Sequence, residues 1–231
     1  MDDLSTNTGA PLAGMPGELL IWLSPAFPVG GFAYSQGLET ASAKDWVSDK
    51  DTLTSWLRCV MVHGALRNDL ILLALITRAR TEVELAELKE LSAALQPSAE
   101  RAKEACDQGQ SFWAAYQAAW SPQKDPNAVD PGSMTLTAAV GLAARDYDME
   151  TMAVLEAFAL AFVGNQISAA IRLGAVGQFD GQRITADLLP DIRALTKACA
   201  SATLDDLGTA TFGSDLASFF HETQTTRLFR S

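Results

Sequence analysis

Histidine and cysteine are scarce in this chain, 2 and 3 among 231 residues. Two histidines exclude a histidine-rich metal store. His63 follows Cys59 by four residues, but two ligands do not close a site where structural zinc takes four. The pair reads as a helix-surface histidine beside a buried thiol, and no metal ligand is assigned. Cys59, Cys106 and Cys199 are odd in number and far apart, so no disulfide framework is expected and a reducing cytoplasm is the simple reading. Basic residues are also few: 17 Lys and Arg against 28 Asp and Glu leave a net charge of −11. That excludes nucleic acid as the main partner, because phosphate contact demands clustered cations. Uninterrupted apolar runs fall short of the roughly 18 residues that span a bilayer. The longest, around 157–164, is preceded by Glu156 and closed by Asn165 and Gln166.

Catalytic signatures are missing as well. No phosphate-binding G-x-x-x-x-G-K-[ST] occurs. Gly174, Gly177 and Gly181 have the wrong spacing for a dinucleotide fingerprint and read as a turn between helices. No strand–turn–helix context presents a nucleophilic serine. By elimination the chain is read as a non-enzyme, with no catalytic residue and no cofactor.

What is present is helical patterning nearly throughout. Leu53, Trp56, Leu57, Val60, Met61 and Gly64 share one face at a 3.6-residue period, with Ser48 as the expected N-cap and Asp51 in the capping-box position. "TEVE" at 81–84 is a better capping box, and it opens a helix whose Leu85, Leu88, Leu91 and Leu95 lie on one side before Pro97 stops it. Gly109, Phe112, Trp113, Tyr116 and Trp120 continue the spacing in the next helix. "SPQKDPNAVDPGS", 121–133, is a loop. Met152 to Val163 is apolar on nearly every side, the mark of a helix at the centre of the fold, with Asp148 as its expected N-cap. A last long helix runs over about 184–200. The expected fold is all-α: a disordered, acidic, Gly- and Pro-containing leader at 1–17, one helical domain over 18–231, and a tail at 221–231.

Two stretches are richer than scaffolding requires. In "LSPAFPVGGFAYSQGLE", 23–39, Pro25 and Pro28 break the preceding helix, Gly30 and Gly31 permit positive φ, and Ser35 or a neighbour can cap the next helix. Turn chemistry leaves Phe32, Tyr34, Gln36 and Glu39 unexplained. The tail "HETQTTRLFRS" combines Arg227 and Arg230 with Leu228 and Phe229, the composition interface hot spots favour. It reads either as chain folded back on its own domain or as a segment that a partner orders.

"SPAFPVGGFAYSQGLE", "NQISAAIRLGAVGQFDGQR" at 165–183 and "HETQTTRLFRS" resemble, in order, the two signatures and the C-terminus of the urease accessory protein F (UreF) family, and "DQG" at 107–109 fits its helical middle. Departures include Thr225, where the family commonly carries an aromatic residue, and Arg172, where it often carries lysine. The resemblance implies an all-α, non-catalytic maturation factor that tends to form a homodimer. It also implies binding to urease accessory protein D (H in some species), recruitment of the accessory GTPase (UreG), and action on the urease apoprotein during nickel insertion. It further implies a C-terminal tail ordered on docking with protein D. His221, Gln224, Arg227, Leu228, Phe229 and Arg230 are then the partner-contact candidates. Pro28, Gly30, Gly31, Tyr34, Ser35, Gln36 and Glu39 belong to the signature. Asn165, Gln166, Gln178, Gln182 and Arg183 are expected to hold the central helix and its following loop or to border an interface. An alternative role is stimulation or gating of the GTPase by an arginine such as Arg58, Arg67, Arg172 or Arg183. Another is transient nickel conduction.

Overall fold

Side-chain caps set half of the described α-helix starts. Asp49 accepts from the Thr52 amide at 2.8 Å while the Thr52 hydroxyl accepts from the Asp49 amide at 3.0 Å, a closed capping box that starts α3, Lys50–His63. The cap is thus Asp49 and not Ser48, because a carboxylate accepts more strongly than a hydroxyl and Thr52 can return the bond. Thr81 caps α5, Glu82–Ala94, as its sequence predicts, although the Glu84 carboxylate takes the Arg80 amide instead of the cap's own. Ser98 caps α6, Ala99–Ala119, and Thr135 caps α7, Leu136–Asp146. Glu150, not Asp148, caps α8, Thr151–Arg172; Asp148 sits in the preceding turn with φ of 49°, the left-handed region that aspartate tolerates.

The structure is a computed structural model and describes residues 14–121 and 134–231. Most of the expected leader, and the loop 121–133 except Ser121, lie outside the described residues. The remaining helices are α1, Gly17–Trp22; α2, Leu38–Ala43; α4, Ala65–Arg78; α9, Gln178–Ala200; and α10, Phe212–Glu222. The described residues contain no strand, so the fold is all-α.

The core forms where α8 packs on α9 and α4, α4 on α7, and α6 on α7. Leu70 to Ala74 of α4 are consecutive and fully buried, so α4 is enclosed on all sides, a role its sequence did not reveal beforehand. By length and composition α8 could cross a membrane, but it is largely packed inside the fold as a core helix. Gly109 lets α6 and α7 meet: a Cβ there would lie 2.1 Å from the Met134 carbonyl oxygen. Trp22 closes the other end of the core, edge-on to Phe112, Tyr116, Trp120 and Tyr147.

Two expectations shift. Helix α9 begins at Gln178, six residues earlier than the apolar pattern indicates, so Gln178, Gln182 and Arg183 are helical rather than part of a turn. Gly181 makes this possible by packing against Ile167 of α8, which hides the helix from a reading of apolar spacing. The thiol of Cys59 is exposed, because residue 59 faces away from the Leu53–Leu57–Val60 stripe; His63 is exposed too.

Candidate partner-docking site

The three motif blocks converge on one seam. The signature loop turns through Gln36 and Gly37, both at positive φ (59° and 81°), and delivers Glu39 into the interior on α2. Gly37 is required there: a Cβ would lie 3.0 Å from the Ser218 amide nitrogen of α10. The Ser35 hydroxyl accepts from the Glu39 amide at 3.2 Å, satisfying one of the free donors of that short helix, as the sequence suggests.

Glu39 organises the tail. One carboxylate oxygen accepts from the Leu228 amide at 2.6 Å, and the other from the Phe229 amide at 2.9 Å. His221 is fully buried between carboxylates, with Nε2 at 3.2 Å from Glu39 and Nδ1 at 2.6 Å from Glu100. Each ring nitrogen thus faces a carboxylate oxygen. Glu100 also accepts from Arg227 at 2.5 Å. The Ser231 carbonyl oxygen accepts from the Ser35 amide at 2.8 Å and the Ser35 hydroxyl at 2.5 Å, while the Ser231 hydroxyl donates to Glu104 at 2.6 Å. The Arg230 amide donates to the Ala33 carbonyl at 2.8 Å, and the Thr40 hydroxyl donates to Gln224 at 3.0 Å.

Glu104 is saturated in the same way. Besides Ser231 it accepts from Gln36 at 2.9 Å, from Gln108 at 3.1 Å and from Arg101. The second signature closes the seam from α8: Gln166 donates to the Ser35 carbonyl at 3.1 Å, and Asn165 donates to the Tyr34 carbonyl at 3.5 Å. Arg172 donates to the Phe32 carbonyl, and its guanidinium lies 4.3 Å over the Phe229 ring. Burial, with the Asp107 carboxylate next, pushes the Tyr34 hydroxyl above its ordinary range.

The tail is therefore ordered by its own domain, the first of the two readings its composition allowed. Phe229, expected to anchor in a partner, fills a pocket of this chain, and His221 is internal. Leu228 and Arg230 face outward, as do Thr223, Thr225 and Thr226, while the Arg227 side chain turns back onto Glu100 and the Glu222 carbonyl. Pro28 is exposed, and Gly30 takes positive φ (70°) whereas Gly31 does not. Gln178, Gln182 and Arg183 lie outside the seam, exposed on the first turns of α9. The four candidate arginines all have partners within the chain: Arg58 with Asp191, Arg67 with the Asp206 carbonyl, Arg172 as above, and Arg183 with Asp180. No group of three or more histidine, cysteine or acidic residues suited to a metal occurs among the described residues.

Sequence reasoning missed Glu100, Arg101 and Glu104. A signal existed, since Arg101, Glu104 and Gln108 recur at helical spacing and form a buried polar stripe on α6. It also missed the outer surface of α10. Phe212, Phe219 and Phe220 are 78%, 49% and 43% exposed, on a helix whose inner Ala217, Ser218 and His221 are buried.

The UreF family profile matches residues 47–189. A urease accessory protein UreF of Xanthobacter autotrophicus is 46% identical over 231 residues, covering 98% of this chain and 94% of its own. The protein of the same name from Methylobacterium radiotolerans is 46% identical, covering 93% and 96%, and that of Azorhizobium caulinodans 44%, covering 97% and 98%. The order of the three motif blocks, their convergence on one seam and these similarities together place the chain in the UreF family of urease accessory proteins.

Proposed function

We propose that this chain is a non-catalytic scaffold of urease maturation: it binds urease accessory protein D (H), and the pair brings the accessory GTPase (UreG) to apo-urease for nickel incorporation. The relatives' shared name supports the urease connection. The observation that carries the docking role is the apolar outer face of α10, Phe212, Phe219 and Phe220, exposed on a helix that is firmly held from within. Large aromatic groups displayed together on an ordered surface are characteristic of a protein-binding face. The docked tail adds Leu228, exposed at 54%, and Arg230. Homodimerisation belongs to the same proposal.

In this reading the seam's inner residues shape the face and the outer residues touch the partner. Removing the tail would strip buried Glu39 and Glu104 of donors, so loss of binding on truncation would not separate docking from misfolding. Single-side-chain changes on the outer face do. The combined variant Phe212→Ser, Leu228→Ser is expected to keep its helix content and lose co-elution with protein D in size-exclusion chromatography with light scattering. Co-elution equal to the unmodified chain would refute the docking role, and the mass of the free chain reads its dimerisation directly.

A further inference from the structure

A cleft of about 470 Å³ opens between α1, the signature loop, α6 and α8. Its walls are apolar, with Leu19, Leu23, Val29, Phe158 and Phe162 among them, and exposed Leu20 and Phe32 stand at its margin. Such a volume lies in the range of small-molecule sites, about 300–1,000 Å³. It is not the tail seam, although Glu104 and Gln36 border both.

The cleft also has a polar cluster. Asp69 accepts from the Thr137 hydroxyl at 3.0 Å and is hydrogen-bonded to Gln96, while Arg101 pairs with Glu104 rather than with Asp69. With both carboxylates ionised, these three charges sum to one negative. Two further lining groups are buried without a partner: the indole Nε1 of Trp22, in a side chain only 1% exposed, and Oε1 of Gln96. A buried polar group left unpaired is rare in native proteins and calls for a partner. The unpaired groups are one donor, on Trp22, and one acceptor, on Gln96, and the charge left over is negative.

We propose that this cleft binds a small organic cation of the alkylammonium class, its ammonium at Asp69 and Gln96 and its aliphatic chain along the walls of α1 and α8. The ammonium supplies donors to the two acceptors and neutralises the residual charge, while the chain covers apolar wall. An anionic head would meet Asp69 and Glu104 unfavourably, and a neutral alcohol would leave the charge unmatched. Burial holds the Asp69 carboxyl at about 6, so its ionised form prevails at neutral pH. Cation binding favours that form, and affinity should therefore decline as pH falls below about 6.

Isothermal titration calorimetry on the full chain tests this with hexyl- and octylammonium, octanol and octanoate. The expected result is tighter binding of octylammonium than of octanol by about tenfold, as a charge-assisted hydrogen bond confers. A gain of about fourfold per added methylene should accompany it. Asp69→Asn should erase the preference over octanol without abolishing octanol binding. Ala161→Phe, which fills the cleft, should remove binding of both, with circular dichroism confirming that the variant folds. Equal binding of all head groups, stronger binding of octanoate, no binding by any probe, or an ammonium preference that survives Asp69→Asn would each overturn the proposal.

Discussion

Two buried regions of this protein are held by different physics. Around α4 the interior is aliphatic and its packing largely non-directional: Leu70, Ile71, Leu72 and Leu73 are fully buried where α4 meets α7, α8 and α9, and the polar contacts of α4, Asp69 with Thr137 and Thr77 with Thr151, lie to either side of that run. Under the tail, the contacts are directional. Glu39, Glu104 and His221 are buried, and each is met by donors or acceptors from a distant part of the chain. The core contributes most of the stability, since burial of apolar area is the dominant favourable term in folding. The seam contributes placement, because a carboxylate taken out of water must find its donors or cost several kcal/mol. One consequence is that the tail's inner and outer faces separate cleanly, one fixed and the other free to meet a partner.

The comparison breaks most sharply at Glu39. Glu39→Ala leaves the Leu228 and Phe229 amides and one nitrogen of His221 without their acceptor, and is expected to cost about 4 kcal/mol. Chemical denaturation measures that loss, and cleavage by trypsin after Arg227 should accelerate. Leu72→Ala in the core is expected to cost about 3 kcal/mol through lost burial and a cavity. Unlike Glu39→Ala, it should leave exchange of the Leu228 and Phe229 amides unchanged at native pH. Equal tail release in both variants would dissolve the distinction between the two regions.

Asp69 sharpens the contrast in a third place. Its carboxyl titrates at about 6 in the folded chain because burial disfavours the charge. The folded state then binds more protons than the unfolded one between its ordinary value near 3.8 and about 6. Stability contributed by this group therefore falls as pH rises through that window and levels off above it. The side chain keeps some access to solvent, so the change amounts to about 2 kcal/mol. Asp69→Asn should flatten the profile of denaturation midpoint against pH. The smallest effect on folding is expected on the outer face. Phe212→Ser and Leu228→Ser should each stay within about 0.5 kcal/mol in stability while weakening capture of protein D.

Much of the fold was legible because apolar spacing reports helices directly. The α3 stripe, the Thr81 cap and the burial of α8 all follow from period and capping chemistry. The start of α9 did not, since Gly181 replaces an apolar residue on its buried face. The Asp148 cap failed because a carboxylate in a left-handed turn and one at an N-cap look alike in sequence. At the candidate site, the motif blocks identified Ser35, Gln36, Glu39, Gln166 and the tail as a set. They could not say which tail residues point inward, because the nine residues after α10, 223–231, are irregular and have no period to read. The acidic partners on α6 escaped notice because polar residues on a helix are ordinarily solvent-facing.

Amide hydrogen exchange at Leu228 and Phe229, in the free chain and with protein D added, tests the central claim most directly. A tail held by Glu39 predicts strong protection of both amides before any partner is present, with little change when protein D binds. Exchange at the rate of an unfolded peptide in the free chain, with protection arising only in the complex, would contradict it.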